Sequence, residues 1–149
     1  MAVFEYTAPV RFADVDHAGI VYYPRYFHMF HVAFEELWRE RLGARAYVEL
    51  LDRDRIGFPA VRAECDYKAP LRFGDTAVVA VSVAKLGGKS IQFRYQVFRE
   101  RDTVDAARVL CAQGLVVCAV VDLTAFVAVA TPAKVVRLLS DLVESSAPT

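Results

Sequence analysis

In "RFADVDHAGIVYYPRYF", residues 11 to 27, two aspartates, a histidine and a glycine stand directly before a run of aromatics. Asp14 and Asp16 alternate with apolar residues, as at a strand end, and Pro24 suits the first residue of a helix. A helix start points unpaired backbone N–H groups and a partial positive charge at whatever lies before it. Such a place can hold an oxyanion. Asp16 stands seven residues ahead of Tyr23, across a turn loosened by Gly19. A carboxylate and an oxyanion donor facing one small space suit acyl transfer, with the carboxylate attacking a carbonyl or activating a water. Apolar surroundings make such a carboxylate a stronger base. Aspartate is also common in turns, so the same residues suit a purely structural turn.

Three other groups are candidates for chemistry. His28, His31 and Glu35 fall on one flank of the following helix. Their spacing is not that of a zinc signature and no fourth ligand is evident, so a buried His31–Glu35 hydrogen bond is the simpler reading. Glu35 and Glu36 are alternative catalytic bases, and Glu36 points away from the apolar arc. "LGGKS", 86 to 90, ends like a phosphate-binding loop, but Val83 stands where the pattern needs glycine and a strand follows instead of a helix. Nucleoside triphosphate binding is therefore excluded. Lys89 and Lys85 either meet a phosphate at the surface or are solvated at a hairpin. "KAPLRFGD", 68 to 75, is a turn, and Arg72 in it is either a ligand contact or a surface charge.

The elements that position these residues follow from hydrophobic periodicity. Residues 3 to 12 read as a first strand, with Pro9 marking an edge or irregularity. Pro24 opens a helix that Gly43 stops after Leu42. At 100° per residue, Tyr26, Phe27, Phe30, Ala33, Phe34, Leu37 and Trp38 share one wide arc, as in a helix packed deeply on a sheet. "AYVELLDRDRIG", 46 to 57, reads as a shorter helix and a turn. The period then changes to two. "FPAVRAECDYKAP", "DTAVVAVSVAKL" and "SIQFRYQVFRE" read as strands, the last with Ile91, Phe93, Tyr95 and Val97 on one face. "ARVLCAQGLVVCAVVDL" is too long for one flat strand, and a bulge or bend is expected at Gly114. "LGGKS" and "RERDTVDA" read as hairpin connections. Pro132 opens a short C-terminal helix, and the final "SSAPT" is expected to fray. Short connections mean antiparallel pairing. The product is an α+β layer structure, one antiparallel sheet on one long helix, in a single domain over 1–149.

Composition narrows the function. The 56% hydrophobic content exceeds the usual ~45–50%, so part of it is expected to be buried between subunits of an oligomer. Basic and acidic residues number 18 each, which gives no general case for nucleic acid or an anionic membrane. The apolar runs are far shorter than the ~20 residues of a membrane span. "MAVFEYTAPVRF" lacks the basic start and apolar core of a secretory signal, so a cytoplasmic protein is expected. Cys111 and Cys118 sit on one strand, roughly 23 Å apart at ~3.3 Å per residue. That is beyond disulfide reach, so reduced, buried thiols are expected.

These stretches resemble the 4-hydroxybenzoyl-CoA thioesterase family of the hot-dog fold. "RFADVDHAGIVYYPRYF" looks like its N-terminal signature, and "CDYKAPLRFGD" and "GGKSIQFRYQVF" resemble two later blocks, in the right order. The likeness runs from about residue 4 to about residue 140. It implies a five-stranded antiparallel sheet curled round one central helix. It also implies homodimers, often paired into tetramers, with active sites at the dimer interface. The implied reaction is hydrolysis of an acyl-CoA, with an aromatic (hydroxybenzoyl-like) or short-chain acyl group, and with no cofactor or metal. By motif, Asp16 is the catalytic nucleophile or base, and the Tyr23 backbone N–H polarises the thioester carbonyl. Tyr22, Tyr26 and Phe27 shape the acyl pocket. Lys89, and more weakly Arg72, contact coenzyme A phosphate. His17 departs from relatives that carry a small residue or proline there, and beside Asp16 it is a further site residue. The alternative is a non-catalytic acyl-CoA or acyl-carrier binding module that keeps the fold.

Overall fold

The computed structural model describes residues 2–145. In chain order the elements are β1 (Phe4–Pro9), α1 (Arg25–Leu42), α2 (Ala46–Asp52), β2 (Ile56–Gly57), β3 (Ala60–Tyr67), β4 (Thr76–Leu86), β5 (Ser90–Arg99), β6 (Val109–Ala119), β7 (Val121–Asp122), β8 (Val127–Ala128) and α3 (Ala133–Leu139). Short 3-10 turns occupy Phe12–Asp14 and Ser140–Leu142.

Helix α1 forms as its sequence dictates. Pro24 stands at its N-cap, and Gly43, with φ of 103°, ends it by donating to the Arg39 carbonyl. Arg39 and Arg41 in the last turn complement the negative end of the helix dipole. Tyr26, Phe30, Ala33, Phe34, Leu37 and Trp38 are buried, and Phe27 is half-buried. They face a sheet of order β1-β4-β5-β6-β3 with every neighbouring pair antiparallel. On β5 the alternation is clean, with Ile91, Phe93, Tyr95 and Val97 buried against the helix layer. Fully burying each large apolar side chain adds about 1.5–3 kcal/mol, so this single interface is the core.

Three details differ from the sequence reading. The bulge of β6 falls at Cys111, not at Gly114: Val97 pairs with Ala112 and Phe98 with Leu110, while Gly114 pairs in register with Tyr95. The freed Cys111 carbonyl accepts the Lys68 and Ala69 N–H groups. Gly114 is needed for space, because a Cβ there would lie 2.4 Å from Phe30 Cε2. Second, the long apolar run leaves the main sheet after Ala119 and continues as β7 in a small sheet of order β2-β7-β8. Third, Cys65 is only partly buried, although all three cysteines are free and Cys111 and Cys118 are buried as expected. Among the described residues no helix is long and apolar enough to cross a membrane. The fraying expected at the C-terminus concerns residues that lie, after Ser145, outside the described ones.

Gly114→Ala should push the Phe30 ring off its seat and lower stability by about 1–3 kcal/mol. Urea unfolding measures this, and an unchanged midpoint would show that the ring is free to move.

Candidate active site

The turn before α1 is a small antiparallel ladder. Tyr22 N–H donates to the Asp14 carbonyl at 2.9 Å, and Asp16 N–H to the Ile20 carbonyl at 3.1 Å. Val15 and Val21 form a bridge between those two bonds. Gly19 closes the tip with φ of 83°, a left-handed value that glycine adopts without strain. The turn is fixed to the sheet end by Val21 N–H on the Leu71 carbonyl at 2.8 Å and by a bridge from Ile20 to Arg72.

The two aspartates take different roles. Asp14 accepts the Arg11 N–H at 2.8 Å with one oxygen and pairs with Arg25 at 2.8 Å through the other. Its side chain is only 14% exposed, so it is committed to structure. Asp16 is exposed, and one oxygen accepts the Ala18 N–H at 2.8 Å. Its other oxygen has no hydrogen-bond partner among the described residues and stays free. The apolar surroundings expected for this carboxylate are absent from the single chain. His17, next to it, is exposed and its side chain makes no hydrogen bond among the described residues.

The helix start is wired so that one N–H is left over. Arg25, Tyr26 and Phe27 N–H groups donate to the Tyr22, Tyr23 and Pro24 carbonyls. Pro24 has no N–H. The Tyr23 N–H has no partner among the described residues. Tyr67, which the sequence reading did not single out, holds this corner: its hydroxyl donates to the Tyr23 carbonyl at 3.1 Å. Its ring also meets Tyr26 edge-on at 5.3 Å. The sequence signal was available in "CDYKAP", but a tyrosine on a mixed strand does not announce its partner.

The other expected site residues separate. Phe27, with Phe30, His31, Phe34, Tyr47 and Tyr95 among others, lines an aromatic cavity of about 350 Å³ between helix and sheet. Tyr26 is buried and borders a different, shallower groove with Tyr23, Tyr67 and Pro70. Tyr22 is exposed and lines neither. Arg72 is exposed at the same sheet end as Asp16. Lys89 is exposed on the β4–β5 hairpin at the opposite end. At ~3.3 Å per residue, the 11 residues of β4 put about 33 Å between those ends, so one chain does not bring Lys89 to Asp16. His31 and Glu35 approach to 3.5 Å, but their side chains are 57% and 51% exposed, so the pair is not the buried one expected. Glu35 and Glu36 lie with Arg39 around a small hollow, about 18 Å along the helix axis from Tyr23 at 1.5 Å per residue.

Two predictions follow from this wiring. Asp14→Ala should lower stability by about 1.5–3 kcal/mol, the range for a hydrogen bond to a charged group, while Asp16→Asn leaves the melting temperature nearly unchanged. Equal melting of the two variants would contradict the division of roles. Burial pushes the Tyr26 and Tyr47 hydroxyls up from 10 to about 12. A raised value in the folded state means stability that is full below pH ~10 and lost as pH rises towards ~12. Chemical unfolding at stepped alkaline pH should show that decline.

Comparison with known proteins places this arrangement. The model of the thioesterase-like superfamily matches residues 10–139. The chain is 28% identical over 110 residues to a 1,4-dihydroxy-2-naphthoyl-CoA hydrolase of Synechococcus elongatus, covering 74% of this chain and 80% of the relative. A gentisyl-coenzyme A thioesterase of known structure is 29% identical, with a TM-score of 0.74, over 88% of this chain and 98% of that one. The crystal structure of a 1,4-dihydroxy-2-naphthoyl-CoA thioesterase from Synechocystis shares the fold, with a TM-score of 0.81 at 22% identity, over 95% and 98% of the two chains. With the family match spanning most of its length and the hot-dog sheet curled on its helix, this chain belongs to the thioesterase-like superfamily.

Proposed function

We infer that this protein is an acyl-CoA thioesterase that hydrolyses a thioester to coenzyme A and a carboxylic acid. The observation that carries the reading is the pairing, on one small turn, of an unpartnered helix-start N–H at Tyr23 with the free oxygen of Asp16. The Tyr23 N–H donates to the thioester oxygen as it gains negative charge. Asp16 either attacks the carbonyl carbon, forming an anhydride that water then opens, or takes a proton from the attacking water. In both routes the carbon–sulfur bond breaks and the sulfur leaves as the thiolate. His17 borders the same turn and is available to tune Asp16. No cofactor or metal is needed, and the three free thiols suit the cytoplasm.

The acyl group enters the cavity that Phe27 opens, one helical turn from Tyr23. Its volume of about 350 Å³ is more than twice the roughly 150 Å³ that holds benzene in a protein interior. The aromatic lining, together with relatives named for naphthoyl and gentisyl thioesters, supports an aromatic acyl group of one ring or two fused rings. Tyr26 borders the neighbouring groove with Tyr23 and Tyr67 instead, and Tyr22 lies outside both.

The working unit is a homodimer through β3. That strand is an edge, exposed along nearly its whole length. Unpaired edges of this length invite pairing with another strand. Arg62 and Glu64 carry opposite charges two residues apart, so antiparallel pairing about Ala63 sets each against its opposite. Such pairing reverses the second copy, bringing its Lys89 end to the Asp16 end of the first. Arg72 of one chain and Lys89 of the other then flank the path of the coenzyme A phosphates.

Thiol release from a panel of aromatic and aliphatic acyl-CoAs tests the reading. Asp16→Asn should lower the rate by about 10²–10⁴-fold in a protein that still folds. Release that persists unchanged in that variant would take Asp16 out of the reaction, and none from any substrate despite binding would turn the reading towards a binding module. Mixing Asp16→Asn with Lys89→Ala subunits should restore one intact site per mixed dimer, seen as recovery of low-substrate activity. No recovery on subunit exchange would place Lys89 outside the site.

A further inference from the structure

The cavity between α1, α2 and the sheet is aromatic but not purely apolar. Tyr47 enters it from α2 and Tyr95 from β5, with Cys118 beside them on β6. Tyr95 is 3% exposed. Its ring is stacked by Phe30 at 4.7 Å and 9° and cannot swing out. Tyr47 is pinned between Phe34 at 5.2 Å and Trp38 at 5.5 Å. Neither hydroxyl has a hydrogen-bond partner among the described residues. Among the described residues, the sealed and unpartnered side-chain group is Trp38 Nε1. The two tyrosine hydroxyls, by contrast, belong to residues that line the cavity.

A tyrosine hydroxyl that opens on a cavity with no protein partner is satisfied only by water or by a ligand atom there, and tyrosines enclosed in protein nearly always find a partner. An apolar cavity with no role needs no such tips, since phenylalanine packs equally well and leaves nothing unsatisfied. The hydroxyls stay protonated at any ordinary pH. Burial, then Glu35 and Cys118, push Tyr47 up to about 12, and burial raises Tyr95 further still. Both are therefore hydrogen-bond donors. They come from different elements, each locked by packing, which is how a polar group is pre-set for a ligand atom.

We propose that the Tyr47 and Tyr95 hydroxyls are specificity-determining groups that bind an oxygen atom on the acyl moiety remote from the thioester. The proposal rests on reading this cavity as the acyl pocket. The site then discriminates between acyl groups of the same shape with and without that oxygen, because an acyl group lacking it leaves two buried donors unpaired. His31 and Glu35 lie at the exposed rim and are solvated in either case.

The test compares 2-naphthoate with ring-hydroxylated naphthoates as free acids, by calorimetry, and the matching coenzyme A thioesters by kcat/KM. Wild type should prefer at least one hydroxylated ligand. Tyr95→Phe and Tyr47→Phe should each reduce that preference about three- to tenfold, the worth of one neutral hydrogen bond. Neither variant should melt below wild type, since each removes an unpartnered group. Equal binding of plain and hydroxylated acids by wild type, or a preference that survives in both variants, overturns the proposal. The acids are read without turnover, so this outcome is separate from a failure of hydrolysis, which would instead strike the thioesterase reading.

Discussion

The position of α1 on the sheet is set by one close contact. The Phe30 ring lies where a side chain at residue 114 would be, and it stacks flat on Tyr95, the strand neighbour of Gly114. Packed interiors behave like crystals, so a contact this tight fixes helix depth and rotation together. Everything that matters at the site hangs from it. The helix start reaches the sheet end where Leu71, Arg72 and Tyr67 receive it. The cavity opens on the flank of Phe30 that faces Phe27, Phe34 and β3. A helix set one ångström higher would lose both the Tyr67 anchor and the cavity wall.

The two aspartates of the turn differ in how far the chain itself engages them. They are two residues apart and share a backbone ladder. Asp14 uses both oxygens on partners of the chain itself, one backbone N–H and one guanidinium. Asp16 uses one oxygen to hold its own turn and leaves the other free. A carboxylate with every lone pair engaged is a poor nucleophile and a poor base. A wholly unengaged one would wander among rotamers. Asp16 lies between these limits, tethered through one oxygen and open at the other, which is the state the proposed reaction requires.

Much of this was legible in the sequence, for physical reasons that differ by element. The long helix and its buried arc were legible because six aromatic or aliphatic side chains recur at helical spacing between a proline and a glycine. The alternating β5 was legible for the equivalent period-two reason. Gly114 was misread because glycine in a strand signals either a bulge or a close approach, and only the distant Phe30 decides which. The small β2-β7-β8 sheet was invisible, since strands of two residues carry no periodicity. The turn residues Asp14, Asp16 and Gly19 were legible as a group. Which aspartate was structural was not, because that depends on Arg25 folding back across the turn. Tyr95 read as one residue of a strand face and Tyr47 only as part of a short helix; that both border one cavity shows only in the folded chain.

The placement of Lys89 carries the last step. A hairpin joining two antiparallel strands must lie at one end of the sheet, and a helix that begins where β3 finishes must start at the other. A lysine on that hairpin and a carboxylate at that helix start are therefore kept apart by the length of a strand in any single copy of this fold. Coenzyme A is long, and its phosphates lie far from its thioester, but in one chain they would have to cross the whole sheet to meet Lys89. Reversing a second copy across the β3 edge removes that distance without moving a residue. Val61 and Ala63 lie exposed on that same edge. The surplus of apolar residues, the bare edge and the distant lysine are thus three separate observations that all support the two-chain site proposed above.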